Sequence, residues 1–87
     1  MIASEVIIKP IREFVLHHFP LAQQWQVNDE DSLLDNGIVD SLGILELVKF
    51  VEKEFEIVVL DEELLPDNFE SISGLALFVE KKKDGVK

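Results

Sequence analysis

The chain has 87 residues, eighteen acidic and eight basic side chains, a formal net charge of −10 and no cysteine. That length suits one small domain over residues 1–87 and is short for two domains that each bury a core. Without cysteine there are no disulfides and no thiolate metal sites, so apolar packing must hold the fold, and the negative surplus opposes binding to nucleic acid.

The opening "MIASEVIIKP" lacks a basic n-region, and no apolar run approaches the ~20 residues a membrane span needs, so a cytoplasmic protein with no membrane partner is expected. Ile7, Ile11, Phe14, Val15 and His18 recur at helical spacing, with Ser4 available as an N-cap. Pro10 sits within that pattern. A proline deep in a helix costs ~3 kcal/mol, so the helix either begins near Pro10 or is kinked there, and it ends before Pro20.

Periodicity then disappears from Phe19 to Asp40, where Pro20, Asn28, Asp29, Asp31, Ser32, Asp35, Asn36 and Gly37 supply turn chemistry. A long loop is expected, pinned to the core by Trp25, Val27, Leu33, Leu34, Ile38 and Val39. The Asn36-Gly37 pair suits a turn with positive φ at the glycine. From Ser41 onward, Ile44, Leu47, Val48, Val51 and Phe55 form one apolar face and Glu46, Lys49, Glu52 and Lys53 the other, which predicts the most regular helix of the chain.

"IVVL" at Ile57–Leu60 has no partner strand, so it reads as an extended connection into a short helix or turn around Leu65–Glu70. Ile72, Leu75, Leu77, Phe78 and Val79 restore helical spacing. Ser71 or Ser73 is placed to cap this last helix, with Lys81–Lys83 complementing its C-terminal dipole and residues 84–87 as a frayed tail. The expected fold is all-α: a four-helix bundle with three main helices, one short helix and a long loop after the first helix.

Several chemistries fail on residue type. A nucleophile elbow GxSxG around Ser41 would need glycine where Val39 stands, and His17 and His18 lack a third group and a cleft. No catalytic residue and no metal site is therefore assigned. In the EF-hand frame, placing Gly37 at position six puts Leu34 at three and Gly43 at twelve, neither with a side-chain oxygen. Neither a GxxxxGK[ST] nor a GxGxxG phosphate loop occurs. What remains is Ser41 at a helix N-terminus, expected to start and cap the helix, in a setting that favours an attached phosphodiester because free backbone N–H groups and the positive dipole end stabilise an anion.

The stretch "DSLLDNGIVDSLGILELVKFVEKEFEI" resembles the central motif of acyl carrier proteins and of the related aminoacyl and peptidyl carriers. The resemblance rests on Leu33 and Leu34, Gly37, the Asp40-Ser41-Leu42 core, Glu46-Leu47, and Phe55 followed by Ile57. It implies a four-helix carrier in which Ser41 receives covalent 4′-phosphopantetheine from coenzyme A through a phosphopantetheinyl transferase. The arm's thiol would then hold an acyl or aminoacyl thioester.

The same resemblance implies that Asp40 and Leu42 flank the arm and help partner enzymes dock and that Glu46 offers them a charge. Helical spacing leaves Glu52 solvated as a further docking residue, and Leu42 suits either the core or the docking surface. The implied partners are an acyl- or aminoacyl-adenylating ligase and downstream acyl-processing enzymes, and a monomer is expected. Gly43, where fatty-acid carriers usually have an acid, and Lys49 depart from the pattern. The alternative is an unmodified acidic interaction module of the same fold, docking a basic partner.

Overall fold

In the computed structural model, which describes residues 5–85 and the side chains of residues 5–83, α1 runs over Glu5–His18 with Pro10 inside it. Ser4, the expected cap, lies outside the described residues. Pro10 stands beyond the first turn, so the carbonyl of Val6 loses its intrahelical donor. The helix offsets that loss by burying Ile7, Ile8, Ile11 and Val15 in the shared core. Full burial of one such side chain stabilises by roughly 1.5–3 kcal/mol. His18 does not belong to this apolar face: it is exposed and bonded to another helix.

The expected loop contains a second helix. Pro20–Trp25 forms α2, with Pro20 at its first position and Gln26 closing it in the left-handed region at φ 50° and ψ 54°. Proline at N1 has no amide to satisfy and its φ already suits a helix, so the residue that ends α1 also starts α2. Six residues are too few for apolar periodicity to be legible. Trp25 does not pin the loop; it is 60% exposed, while Leu33, Ile38 and Val39 are buried and Val27 and Leu34 half-buried.

Ser41–Phe55 forms α3, which buries Leu47, Val51 and Phe55 along the expected face. Ile57–Leu60 is extended without pairing, leading into a 3-10 turn at Asp61–Glu63. The short helix expected near Leu65–Glu70 is α4, Pro66–Phe69, with Phe69 fully buried. Ile72–Gly85 forms α5, whose cap is Ser71: its hydroxyl accepts the Gly74 N–H at 3.0 Å. The element order is three long helices, α1, α3 and α5, with short α2 and α4 between them, around a common core; α1 packs on α5 and α2, and α4 on α5. The expected all-α bundle is thus the observed fold, with α2 as a further short helix, and no strand occurs among the described residues.

The lysines near the end of α5 reach other elements instead of serving only their own dipole. Lys82 Nζ lies 2.9 Å from Glu63 Oε1, and Lys83 Nζ donates at 3.1 Å to the Phe55 carbonyl at the end of α3. The second contact places a cation on the negative end of a neighbouring helix dipole. Helix α5 continues through Gly85, so residues 84 and 85 of the expected tail have helical backbone.

Arg12 ties α1 to the loop. Its Nε and Nη2 donate to the two carboxylate oxygens of Asp29 at 2.8 and 2.7 Å, and its Nη1 donates to Glu5 at 3.1 Å. The guanidinium beside Asp29 holds that carboxyl below its usual range, against a smaller opposing effect of burial. Glu63 is lowered as well, first by the Leu60 amide and then by Lys82.

A depressed carboxylate contributes stability above its unfolded pKa and loses it as pH falls through the folded one. Asp29→Asn should therefore cost about 1–2 kcal/mol at pH 7, a bidentate pair discounted for its partial exposure. The gap between variant and wild type should close as pH falls below about 4, read as urea midpoints at several pH values. A gap that stays constant to low pH would show that the Arg12 pair is not its source.

Candidate functional site around Ser41

Helix α3 begins where the loop delivers Asp40 in an extended conformation, φ −105° and ψ −170°. Its Oδ1 accepts the Gly43 N–H at 2.8 Å, and its carbonyl accepts the Ile44 N–H at 2.9 Å. Asp40 is therefore the N-cap and Ser41 is the first helical residue, which corrects the expectation that Ser41 caps. Aspartate and serine cap about equally well, and the one with extended backbone just outside the helix takes the position. A carboxylate there also complements the positive dipole end.

This division leaves the Ser41 hydroxyl outside the cap and exposed. The amides of Ser41 and Leu42 belong to the first turn, where no intrahelical acceptor exists. Leu42 is 72% exposed, so it belongs to the surface and not to the core. On one side of Ser41 lies a hollow of about 220 Å³ lined by Leu34, Ile44, Leu64, Leu65 and Pro66. Its last three walls come from the end of the α3–α4 connection and the first residue of α4, more than twenty positions away in sequence, with nothing in their spacing to tie them to Ser41.

Asp40, Leu42, Glu46 and Gly43 line a second hollow, with Phe19 and Leu21 opposite, on the α2 side of the helix start. Gly43 is required there by space. A Cβ on it would stand 2.8 Å from Val39 Cγ1 and 2.9 Å from Phe19 Cε1, both on buried side chains. The absence of an acid at Gly43 thus has a local packing cause, which the sequence did not reveal because Phe19 is 24 positions away. Gly37 is glycine for conformation instead: its φ is 70° and nothing lies within 4 Å of a Cβ there.

The two acids expected to serve docking are both engaged within the chain. Glu46 Oε1 lies 2.8 Å from His18 Nε2, whose ring stacks on Phe14 at 4.8 Å. One carboxylate oxygen of Glu52 accepts the Val59 N–H at 2.9 Å and so fixes the extended connection after α3. Glu46 is exposed and Glu52 half-buried. Asp40, Ser41, Leu42 and Glu46 come together at one end of α3; Glu52 lies nearly two turns from Glu46. Among the described residues no three His, Asp or Glu side chains are grouped to hold a metal ion, and no helix is long and apolar enough to cross a membrane.

Capping and packing at this site make opposite demands that substitutions separate. Asp40→Ala should cost about 1 kcal/mol by loss of the cap, whereas Ser41→Ala should stay within about 0.5 kcal/mol. Gly43→Ala would ordinarily gain up to ~1 kcal/mol in a helix, but overpacking against Val39 and Phe19 costs ~1–3 kcal/mol, so net destabilisation is expected. Thermal or urea unfolding of the three variants checks both statements. A Ser41→Ala loss as large as that of Asp40→Ala would overturn the cap assignment.

No protein-family model matches the chain. Aminoacyl carrier protein 2 of Bradyrhizobium diazoefficiens is 37% identical over 49 residues, covering 56% of this chain and 54% of that protein, so the match spans about half of that relative's length. Acyl carrier protein of Buchnera aphidicola is 31% identical over 75 residues, covering 86% of this chain and 92% of the relative. Acyl carrier protein of Brachyspira hyodysenteriae is 25% identical over 77 residues, covering 88% and 96%. With an all-helical fold and nearly end-to-end similarity to such relatives, the chain belongs to the acyl carrier protein family.

Proposed function

We propose that this protein is a non-catalytic carrier that holds an acyl or aminoacyl group as a thioester on a 4′-phosphopantetheine arm joined to Ser41. The observation that carries this reading is the division of labour at the start of α3: Asp40 closes the helix end, and the Ser41 hydroxyl stands exposed beside it. Family membership supports the choice of arm.

The residues present fit such a group. An attached phosphodiester would sit at the positive end of a 15-residue helix, near the first-turn amides of Ser41 and Leu42. The hollow lined by Leu34, Ile44, Leu64, Leu65 and Pro66 offers apolar surface next to the attachment oxygen. When bound, the arm supplies a thiol at the end of a flexible tether. The chain supplies attachment, charge stabilisation and presentation, while transfer chemistry belongs to partner enzymes.

A phosphopantetheinyl transferase, an adenylating ligase and acyl-processing enzymes are the proposed partners, in a cytoplasmic setting. Leu42 is the proposed apolar contact for them, being large, exposed and adjacent to Ser41. Glu46 and Glu52 are the proposed acidic contacts. Glu46→Gln is the cleaner probe of docking, because Glu52 also holds the Val59 amide.

Incubation with coenzyme A and a broad-specificity phosphopantetheinyl transferase, followed by intact mass measurement, should add one phosphopantetheine group to wild type and none to Ser41→Ala. An unchanged mass, under conditions that modify a control carrier, sinks the carrier reading and favours the unmodified interaction module. Leu42→Ala should keep wild-type stability but slow loading by about tenfold, the loss expected for truncating an exposed apolar contact at an interface. Equal loading rates would remove Leu42 from the docking surface.

A further inference from the structure

The exposed stripe of α3 that starts beside Ser41 consists of Leu42, Glu46, Lys49 and Lys53, spaced by four, three and four residues, which aligns them on one helix face. In a chain of net charge −10, the second half of that stripe is cationic. The usual helix partners of Lys49 would be the acids three residues to either side, Glu46 and Glu52. Both are diverted: Glu46 is held by His18, and Glu52 by the Val59 amide. Among the described residues neither Lys49 nor Lys53 takes part in an ion pair.

Lys49 and Lys53 rim a hollow of about 370 Å³ between α1 and α3, with Glu46, bonded to His18, at the edge nearer Ser41. Its floor is aromatic: Phe14 stacks on Phe50 at 4.2 Å between ring centroids and on His18 at 4.8 Å, and both phenylalanines are only half-buried. A second hollow that shares Phe14 and Phe50 is lined instead by Glu13, His17 and Glu54. Of these two hollows, the one that continues the Ser41 face is the one lined by lysines.

We infer that the Lys49/Lys53 hollow is a docking site for a protein partner that presents a carboxylate side chain beside an aliphatic one. The carboxylate meets the two ammonium groups and the aliphatic group meets the exposed edge of the Phe14–Phe50 stack. Charge complementarity selects this occupant, since the same position repels a basic side chain at close range. The inference rests on the carrier reading only for why a partner approaches this face; the binding itself belongs to the unmodified chain. His18 contributes by holding the Glu46 carboxylate, which makes no direct ion pair with Lys49.

The test uses the full chain labelled with 15N and two synthetic amphipathic peptides of equal length, one alternating Leu with Glu and the other Leu with Lys. The Leu/Glu peptide should shift the amide signals of His18, Lys49, Phe50 and Lys53. Its affinity should fall by about fivefold or more in the double variant Lys49→Glu, Lys53→Glu, and by an intermediate factor in the double Gln variant, whose well-dispersed spectra report that the fold is kept. Equal perturbation of these residues by the Leu/Lys peptide would overturn the inference, as would an unchanged affinity in the charge-reversed variant. Inorganic phosphate or anionic vesicles reproducing the same shifts at comparable concentration would also overturn it. Ser41→Ala should respond as wild type does, so a failure of this site is distinguishable from a failure of arm attachment.

Discussion

Leu33 is the residue through which the irregular part of the chain is fixed, and the position of Ser41 follows from it. Its side chain is fully buried, its N–H donates to the Glu70 carbonyl at 2.7 Å, and its carbonyl accepts the amides of Ile38 and Val39 at 2.9 and 3.1 Å. One residue thereby joins the loop to the approach of α5 and closes the loop on itself. Buried backbone groups must find partners, and here a helix or sheet ladder is replaced by a few long-range bonds. Asp29 adds two more: its carboxylate binds Arg12 on α1, and its carbonyl accepts the Ser73 amide at 2.8 Å in the first turn of α5. The chain between α2 and α3 is thus held at both flanks before it reaches Asp40.

That anchoring explains why a serine can be presented without being used by the fold. A serine just before a helix normally caps it, and a capping hydroxyl is occupied by a backbone amide. Moving the cap one residue earlier, to Asp40, satisfies the Gly43 amide and leaves the next hydroxyl available. The arrangement needs Val39 and Ile38 buried behind it so that Asp40 and Ser41 face outward, and both are nearly inaccessible. Gly43 completes it by letting Phe19 approach the helix where any side chain would intervene.

What was legible in the sequence follows the range of the forces involved. The long helices, the burial of Leu47, Val51 and Phe55, the extended Ile57–Leu60 connection and the short helix around Phe69 were readable because each depends on local spacing, prolines and capping residues. Helix α2 was not, because six residues carry too little periodicity, although Pro20 was a usable signal for its start. The exposure of Trp25 and the bond of His18 to Glu46 were not, because composition cannot say which apolar or titratable group a tertiary contact will claim. At the candidate site, Ser41, Asp40 and Leu42 stood out through an extended motif. The packing role of Gly43 and the hollow walls at Leu64, Leu65 and Pro66 depend on segments distant in sequence.

Net charge alone is a poor guide to what this surface attracts. Of the acids that give the chain its −10, Asp29, Glu46, Glu52 and Glu63 are each bonded to a basic side chain or a backbone amide, so part of the negative charge serves the fold. Long-range attraction follows the total, but at contact distance a partner meets individual groups, because charges farther apart than a Debye length are largely screened. Along the face that begins at Ser41 the groups met in turn are an exposed leucine, a carboxylate shared with His18, and two lysines that form no ion pair among the described residues. A carrier with this face can draw a basic partner from a distance and still require of it an acidic group in the final docked position.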